Sequence, residues 1–433
     1  MAEQTRTGGR AATSAVIPGR NGLSVGNPGT AAPDGFRWLP LSELARLESG
    51  HTPSRRVPDY WDGQIPWIGI RDATGNHGRT IVDTIQHVTQ AGIENSSARV
   101  LPAGTVCLSR TASVGYVVTM GVPMATSQDF VNWVCGPELD HRYLHYLLFS
   151  EQEMIQRVAY GSVHATMYYP DAKALYVCVP ERKQQRAIAD VLSALDDKIA
   201  ANTKLVAIAR ELVSARFAAA LSDGTRRHGK FFDFFEVEYG APFGGSLFAE
   251  SGEGRPLIRI RDLKTFAPQV WSTEVRRDEL VVNPGDILVG MDAEFTPTPW
   301  LGDPGVLNQR VCRVVTEYSR EFTLEAVRAP VRFIEGHKSG TTVIHLNKRD
   351  LTETPVEIPG ENAARRFDAD VAGVLDLVVS ASAESRRLAA IRDAILPGFM
   401  SGRLTVCDAE AAVESAVDGD AVEPEVQASG TLW

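Results

Sequence analysis

Few stretches of this sequence combine the residue types and spacing that catalysis needs. GLSVG (22–26) matches the G-x-S-x-G pattern, in which a strained strand-to-helix turn presents a nucleophilic serine. It lies in a Gly-, Ala-, Ser-, Thr- and Pro-rich lead with no strand–turn–helix around it, so no nucleophile is expected there. His141 and His145 stand four apart on a helical pattern, a spacing that suits zinc, but the Glu of H-E-x-x-H is missing. PDAK (170–173) is a nuclease-like fragment without its second acidic residue. Neither a Walker loop nor G-x-G-x-x-G occurs, and no NPPY-type tetrapeptide serves an adenine methyltransferase. The five cysteines (Cys107, Cys135, Cys178, Cys312, Cys407) form no CxxC pair, and TVCLS, YVCVP and RVCRVV set three of them in strand-like apolar runs. They read as small buried hydrophobes rather than disulfides or zinc ligands. No catalytic residue, metal or cofactor is expected, and the chain reads as a binder.

Binding chemistry is better represented. Polar loop clusters appear at SRTAS (109–113), HATMYY (164–169), RIRD (259–262), HKSGTT (337–342) and NKRD (347–350). Arg, Lys, Gln, Asn, Ser and Thr can pair with base edges and phosphates. The candidate DNA-binding residues are Arg71, Ser109, Arg110, Thr111, Gln128, His164, Tyr168, Arg259, Arg261, Gln309, Arg310, Lys338, Thr341, Asn347 and Lys348.

These clusters recur because the chain repeats itself. GQIPWIGIRDATG (63–75) is echoed by GRPLIRIRDLKTF (254–266), and Asp72 and Asp262 lie 190 residues apart, as do Gly50 and Gly240. LPAGTVCLSR answers to VNPGDILVGM with Gly104 over Gly285, and Gln128 falls opposite Gln309 at the same offset of 181. GSVHATMYYPDAKALYVCVP and GTTVIHLNKRDLTETPVEIP align at 179, with Asp171 over Asp350 and Pro180 over Pro359. The shrinking offset implies loop deletions in the second copy.

The elements that must position these loops follow from periodicity. TVCLS, YVVTM, FVNWV, DILVG and RVCRVV read as strands, and HRYLHYLLFSEQEMIQRV as a helix. After each α+β globule the texture changes. Residues 181–221 contain no Gly or Pro, and Ile188, Leu192, Leu195, Ile199, Asn202, Val206, Ala209 and Val213 recur at alternating four and three. This is a coiled-coil seam holding one polar residue, Asn202. In 362–404, Phe367, Val371, Val374, Val378 and Ala381 keep the same spacing, and Leu388 and Ile395 extend the apolar pattern. AIARELVSARF matches AAIRDAILPGF at 182, and two long helices at equivalent positions would pack antiparallel.

Composition bounds the reading. The 433 residues suit two or three domains, and 44% hydrophobic with 23% charged residues is ordinary for a globular chain. No apolar run approaches the roughly 18 residues that span a bilayer, and the N-terminus lacks a signal-peptide core, so a cytoplasmic address without membrane contact is expected. The net charge of −10 is concentrated behind Arg403, where seven acidic residues and no Lys or Arg occur. With +1 in residues 1–35, residues 36–404 carry −4, so any basic surface must be local.

HTPSRRVPDYWDGQIPWIGIRD, LPAGTVCLSRTASVG and PERKQQRAIADVLSALDDKI resemble the DNA-specificity subunits of type I restriction–modification enzymes. GAPFGGSLFAESGEGRPLIRIRDL, NPGDILVG and LPGFMSG resemble another variant of the same family. One departure is PGENAARRFDADVAGVL, which lacks the Glu-Gln run that PERKQQRA partly keeps.

The resemblance covers about 36–404. It implies an α+β fold of two repeated target-recognition domains, separated by two long antiparallel coiled-coil helices with pseudo-two-fold symmetry. The corresponding division is a disordered lead (1–35), a first recognition domain (36–180), a first spacer helix with linker (181–229), a second recognition domain (230–360), a second spacer helix (361–404) and an acidic disordered tail (405–433). It further implies a non-catalytic subunit that reads a bipartite site in double-stranded DNA. Its partners would be DNA adenine methyltransferase subunits and restriction/translocase subunits. A specificity factor of the same build in another phage-defence or methylation system, or a DNA-modifying enzyme in its own right, are the alternatives. The helices are expected to set the gap between the half-sites.

Overall fold

The computed structural model describes residues 15–159, 165–292, 295–338 (for Lys338 the backbone only) and 345–409. The chain divides into two compact units, 1–197 with 389–433, and 198–388. Each unit contains one of the repeated globules together with segments of the long helices.

In the first unit, the Phe130–Cys135 strand runs antiparallel between Ala45–Ser49 and Val106–Ser109, and the sheet continues through Val117–Met120 to Arg79–Ile81. A second sheet orders Ala125–Thr126, Trp61–Ile68 and Gln86–Val88. A third sets Leu175–Pro180 between Leu23–Val25 and Phe36–Pro40. In the second unit, Val311–Val315 lies between Glu236–Tyr239 and Ile287–Gly290, Arg255–Ile258 runs parallel to Gly305–Leu307, and Arg226–Lys230 pairs with Pro355–Pro359.

The duplication is visible in the strand registers. Trp133 faces Leu47 in the first unit and Val314 faces Val237 in the second. Asn132 faces Cys107, as Arg313 faces Leu288. Ala125 faces Trp67, as Val306 faces Leu257. Pro180 faces Phe36, as Pro359 faces Arg226. Each pairing joins residues related by the sequence offsets of 190, 181 and 179. Because a one-residue slip would turn every side chain to the opposite face, agreement at four pairings means that the two globules share one packing scheme.

Gly50 and Gly240 show why the repeat keeps its glycines. A Cβ at Gly50 would overlap the Ser127 carbonyl, and one at Gly240 would overlap the equivalent Asn308 carbonyl. Asp72 and Asp262, the shared landmarks of the opening echo, are both buried. Asp72 accepts from the backbone N–H groups of Gly69 and Ile85, each at 2.9 Å, and Asp262 accepts from that of Arg259 at 2.9 Å. They close turns.

The long helices share in both cores. Arg182–Ser222 is continuous over 41 residues. Ile188 and Leu192 pack in the first unit's core with Leu396, Phe399 and Met400. In the second unit's core Ala209, Val213 and Phe217 meet Phe367, Val371, Leu375 and Val378. Within the second unit Asn202 bonds Glu384 while Arg216 lies 3.9 Å from Asp370, so the two helix segments run antiparallel there. Of the remaining expected interface residues, Asn202 is buried, and Leu195, Ile199, Val206, Val374, Leu388 and Ile395 are half-buried. Asn202 Nδ2 donates to Glu384 Oε2 at 2.8 Å and to the Ala381 carbonyl at 3.3 Å. Gln185, buried near the helix start, donates to the Pro180 carbonyl and accepts from the Asp140 N–H, each at 2.9 Å. Its counterpart in the second copy is Ala364, which is wholly buried and carries no amide.

Four expectations are corrected. The lead is ordered from Ala15: Leu23 and Val25 are fully buried and extend a sheet. Its small-residue composition hid the strand, and the Glu151 carboxylate fixes it by accepting from the backbone N–H groups of Arg20, Asn21 and Leu23. The same Glu151 separates His141–Ser150 from Gln152–Val158, where one helix was expected. The second long helix is likewise two, Glu361–Val371 and Val374–Met400, broken at Gly373, whose φ of 78° lies in the left-handed region. At the start of the expected tail, Val406 and Ala409 pack on the first unit's core. Residues 1–14 and 410–433 fall outside the described residues.

Candidate nucleic-acid interface

The polar loops of the two copies hang on one backbone frame. In the first unit the Arg110 N–H donates to the Asp129 carbonyl at 2.7 Å, and the Met167 N–H donates to the Arg110 carbonyl at 2.8 Å. In the second, the Met291 N–H donates to Arg310 at 2.9 Å and Leu346 to Met291 at 2.8 Å. Ser127 N–H binds the Ile68 carbonyl as Asn308 binds Ile258, both at 3.0 Å. The side chain of Ser127 accepts from the Asp129 N–H, as that of Asn308 does from Arg310. Single bridges join Thr111 to Thr166 and Asp292 to His345. Strand ends from the core sheet, the 127–129 or 308–310 loop, and the segment before a short helix therefore converge identically in each copy.

What the frame presents differs between the copies. Gln128 is exposed and its Oε1 accepts from the Thr52 hydroxyl; Gln309 is exposed at the equivalent place. Thr111 is replaced by Asp292, Asp129 by Arg310, Thr166 by His345 and Tyr168 by Asn347. The Asp292 Oδ1 lies 2.5 Å from His345 Nδ1 and 3.5 Å from Arg310 Nη1. Tyr168 is exposed, and Lys348 is exposed at the first position of the Lys348–Glu353 helix.

Several expected contacts serve the fold instead. Ser109 is fully buried; its hydroxyl donates to the Ser113 carbonyl and accepts from the Tyr116 N–H, so it has nothing left to offer a base. Asn347 caps a helix, its side chain accepting from the Asp350 N–H at 3.0 Å. Arg259 is tied to Asp262 at 3.2 Å and is mostly buried. Arg110 bridges two loops, with Nε donating to the Gln128 carbonyl at 3.1 Å and its guanidinium 4.9 Å over the Tyr169 ring. Arg71 and Arg261 are exposed at equivalent positions of the two copies. His164 and Thr341 lie outside the described residues, and Lys338 is described only as the end of the Arg320–Lys338 helix. Asp129, Asp292 and His345 were missed, although the offsets that paired Gln128 with Gln309 pair them too. Arg55 was also missed: its guanidinium stacks 3.6 Å over Trp61 in the first unit.

The residues with catalytic spacing do other work. Ser24 is buried on a strand and hydrogen-bonds backbone carbonyls. His145 is buried with Nδ1 2.8 Å from Thr119 Oγ1, and Asp171 is buried in a short helix. Burial pushes the thiols of Cys107, Cys135, Cys178 and Cys312 up, and no described cysteine is bonded to another. Among the described residues no cluster of His, Cys, Asp and Glu has the grouping of a metal site, and no helix is long and apolar enough to cross a membrane.

Comparison with known proteins agrees with this frame. The family described as "Type I restriction modification DNA specificity domain" matches residues 33–208. The type I restriction enzyme MjaIX specificity subunit of Methanocaldococcus jannaschii is 22% identical over 409 residues, 84% of this chain and 93% of that protein. The EcoBI specificity subunit of Escherichia coli is 32% identical over 177 residues, 39% of this chain and 37% of its own length. Among solved structures, the S subunit of a type I restriction–modification system from M. genitalium aligns with a TM-score of 0.58 at 15% identity, covering 86% of this chain and 97% of that one. The doubled frame and these likenesses converge: residues 33–208 match the type I specificity domain, and the chain as a whole is similar to type I restriction–modification specificity subunits.

Proposed function

We propose that this protein is the sequence-reading subunit of a type I restriction–modification complex, with each globule reading one half of a split site in double-stranded DNA. The observation that carries the reading is the doubled loop frame, with one set of backbone bonds presenting two different sets of exposed polar side chains. A duplicated reader with divergent contacts suits a target of two unlike halves, as paired half-site readers suit symmetric ones. Within the frame, Gln128, Tyr168, Gln309, Arg310 and Lys348 are the exposed contacts, flanked by Arg71 and Arg261. The long helices dock DNA adenine methyltransferase subunits, and restriction/translocase subunits join through them. Catalysis belongs to those partners, and the protein needs no cofactor of its own.

Mapping methylated adenines in cells that carry the complex tests this. Two short motifs at a fixed unread spacing are expected, and methylation at one contiguous site, or at none, would refute it. The purified chain alone, incubated with double-stranded DNA and S-adenosylmethionine, should produce no methylated or cleaved product.

A further inference from the structure

The two copies carry opposite charges at one pair of equivalent frame positions. After the shared glutamine, the first copy has Asp129 and the second has Arg310, each with its backbone N–H turned onto the side chain two residues earlier. The half-buried Asp129 carboxylate accepts from the Ser127 hydroxyl at 2.9 Å and has further lone pairs to offer. The Arg310 side chain is 55% exposed, and one edge of its guanidinium is 3.5 Å from the Asp292 carboxylate, itself 26% exposed. That carboxylate also holds His345 at 2.5 Å. The first copy has Thr111 at the place of Asp292 and Thr166 at that of His345, so it has no such anchor.

An arginine tethered at one edge keeps N–H donors in its planar fork for a second acceptor pair. In the major groove the base that offers two acceptors to such a fork is guanine, through O6 and N7, whereas a carboxylate finds its donor in the cytosine amino group. On the basis of the DNA-reading function above, we propose that Arg310 selects guanine in one half-site, with Asp292 as its positioning residue, and that Asp129 selects cytosine at the equivalent place in the other. Gln128 and Gln309, alike in both copies, would then read a base common to the two halves, and adenine is the base that a glutamine pairs with bidentately.

The test uses the chain assembled with its methylation subunits and a pool of randomised double-stranded DNA, sequenced after selection. Arg310→Ala should relax guanine preference at one position of one half by about tenfold or more, leaving the other half unchanged. Arg310→Lys keeps the charge and loses the fork, so it should relax the same position without altering the salt dependence of binding. Asp292→Asn should weaken discrimination at that position, and Asp129→Asn should relax one position in the opposite half. The proposal is overturned if Arg310→Ala weakens all sequences alike and lowers the salt slope by about one, as a phosphate contact would. It is equally overturned if no position, or positions in both halves, respond. Selection of no split sequence by the unaltered complex would instead bring down the functional reading beneath it.

Discussion

A serine or an asparagine in a polar loop looks the same whether it faces a base or closes a turn, and here most of the difference lies in hydrogen bonds that span several residues. Ser109 is consumed by Ser113 and Tyr116. Ser109→Ala should therefore leave the half-buried Tyr116 N–H without its acceptor and cost about 1 kcal/mol or more in urea unfolding, with base preference unchanged. A shift in base preference without loss of stability would restore Ser109 to the interface. Gly240 obeys a simpler rule, since its backbone passes against the Asn308 carbonyl. Gly240→Ala should destabilise by about 1–3 kcal/mol or more through overpacking, and Gly50→Ala should do the same in the first unit. The repeat made these glycines legible in the sequence; it did not say that a carbonyl lay against them.

At the scale of elements, the helical and strand periods were strong enough to locate the core. The strands expected at TVCLS, YVVTM, FVNWV, DILVG and RVCRVV are all present. The His141–Ser150 helix illustrates what a pattern of apolar residues leaves out, because its inner face also buries a histidine. His145 contacts Thr119 and lies near the Gly78 backbone, Asp196, His77 and His141; burial pushes its pKa down from 6.5 to about 4. His77 and His141 are pushed down for the same reason. In that window the unfolded chain binds protons that the folded one refuses, so stability is whole above pH 6.5 and falls as the pH drops toward 4. His145→Gln should flatten this acid limb by an amount on the order of a few kcal/mol between those limits. Urea unfolding across the range measures it, and an acid limb of unchanged steepness would show that His145 does not govern it.

Across the whole molecule, the chain passes from one unit to the other along Arg182–Ser222 and returns along Val374–Met400. On the proposal that the helices set the spacer, removing seven residues in register from each keeps the seam and shortens the path by roughly 10 Å. At about 3.4 Å per base pair this should shorten the unread spacer by about three base pairs at most, leaving the bases of both halves unchanged. Methylome sequencing of cells carrying the deletion reads the spacer directly. An active complex with an unaltered spacer would show that something else measures the gap.

The sequence by itself determined the duplication, the class of the strongly periodic elements and the helix seam. Offsets, a period of two and a period near 3.6 are properties of neighbouring residues along the chain, and they survive in Gly50, Gly240, Asp72, Asp262 and the Ile188–Leu192 seam without any knowledge of the fold. Tertiary structure decided which polar residues remained available. Glu151 reaches back some 130 residues to bind Arg20, Asn21 and Leu23, turning an apparently featureless lead into sheet and dividing a helix. Asp292 gathers Arg310 and His345 from segments 18 and 53 residues away. Such groupings have no period. They arise where strand ends and loops are brought together by the burial of side chains elsewhere, and a hydrogen bond forms only between groups that this packing has already made neighbours.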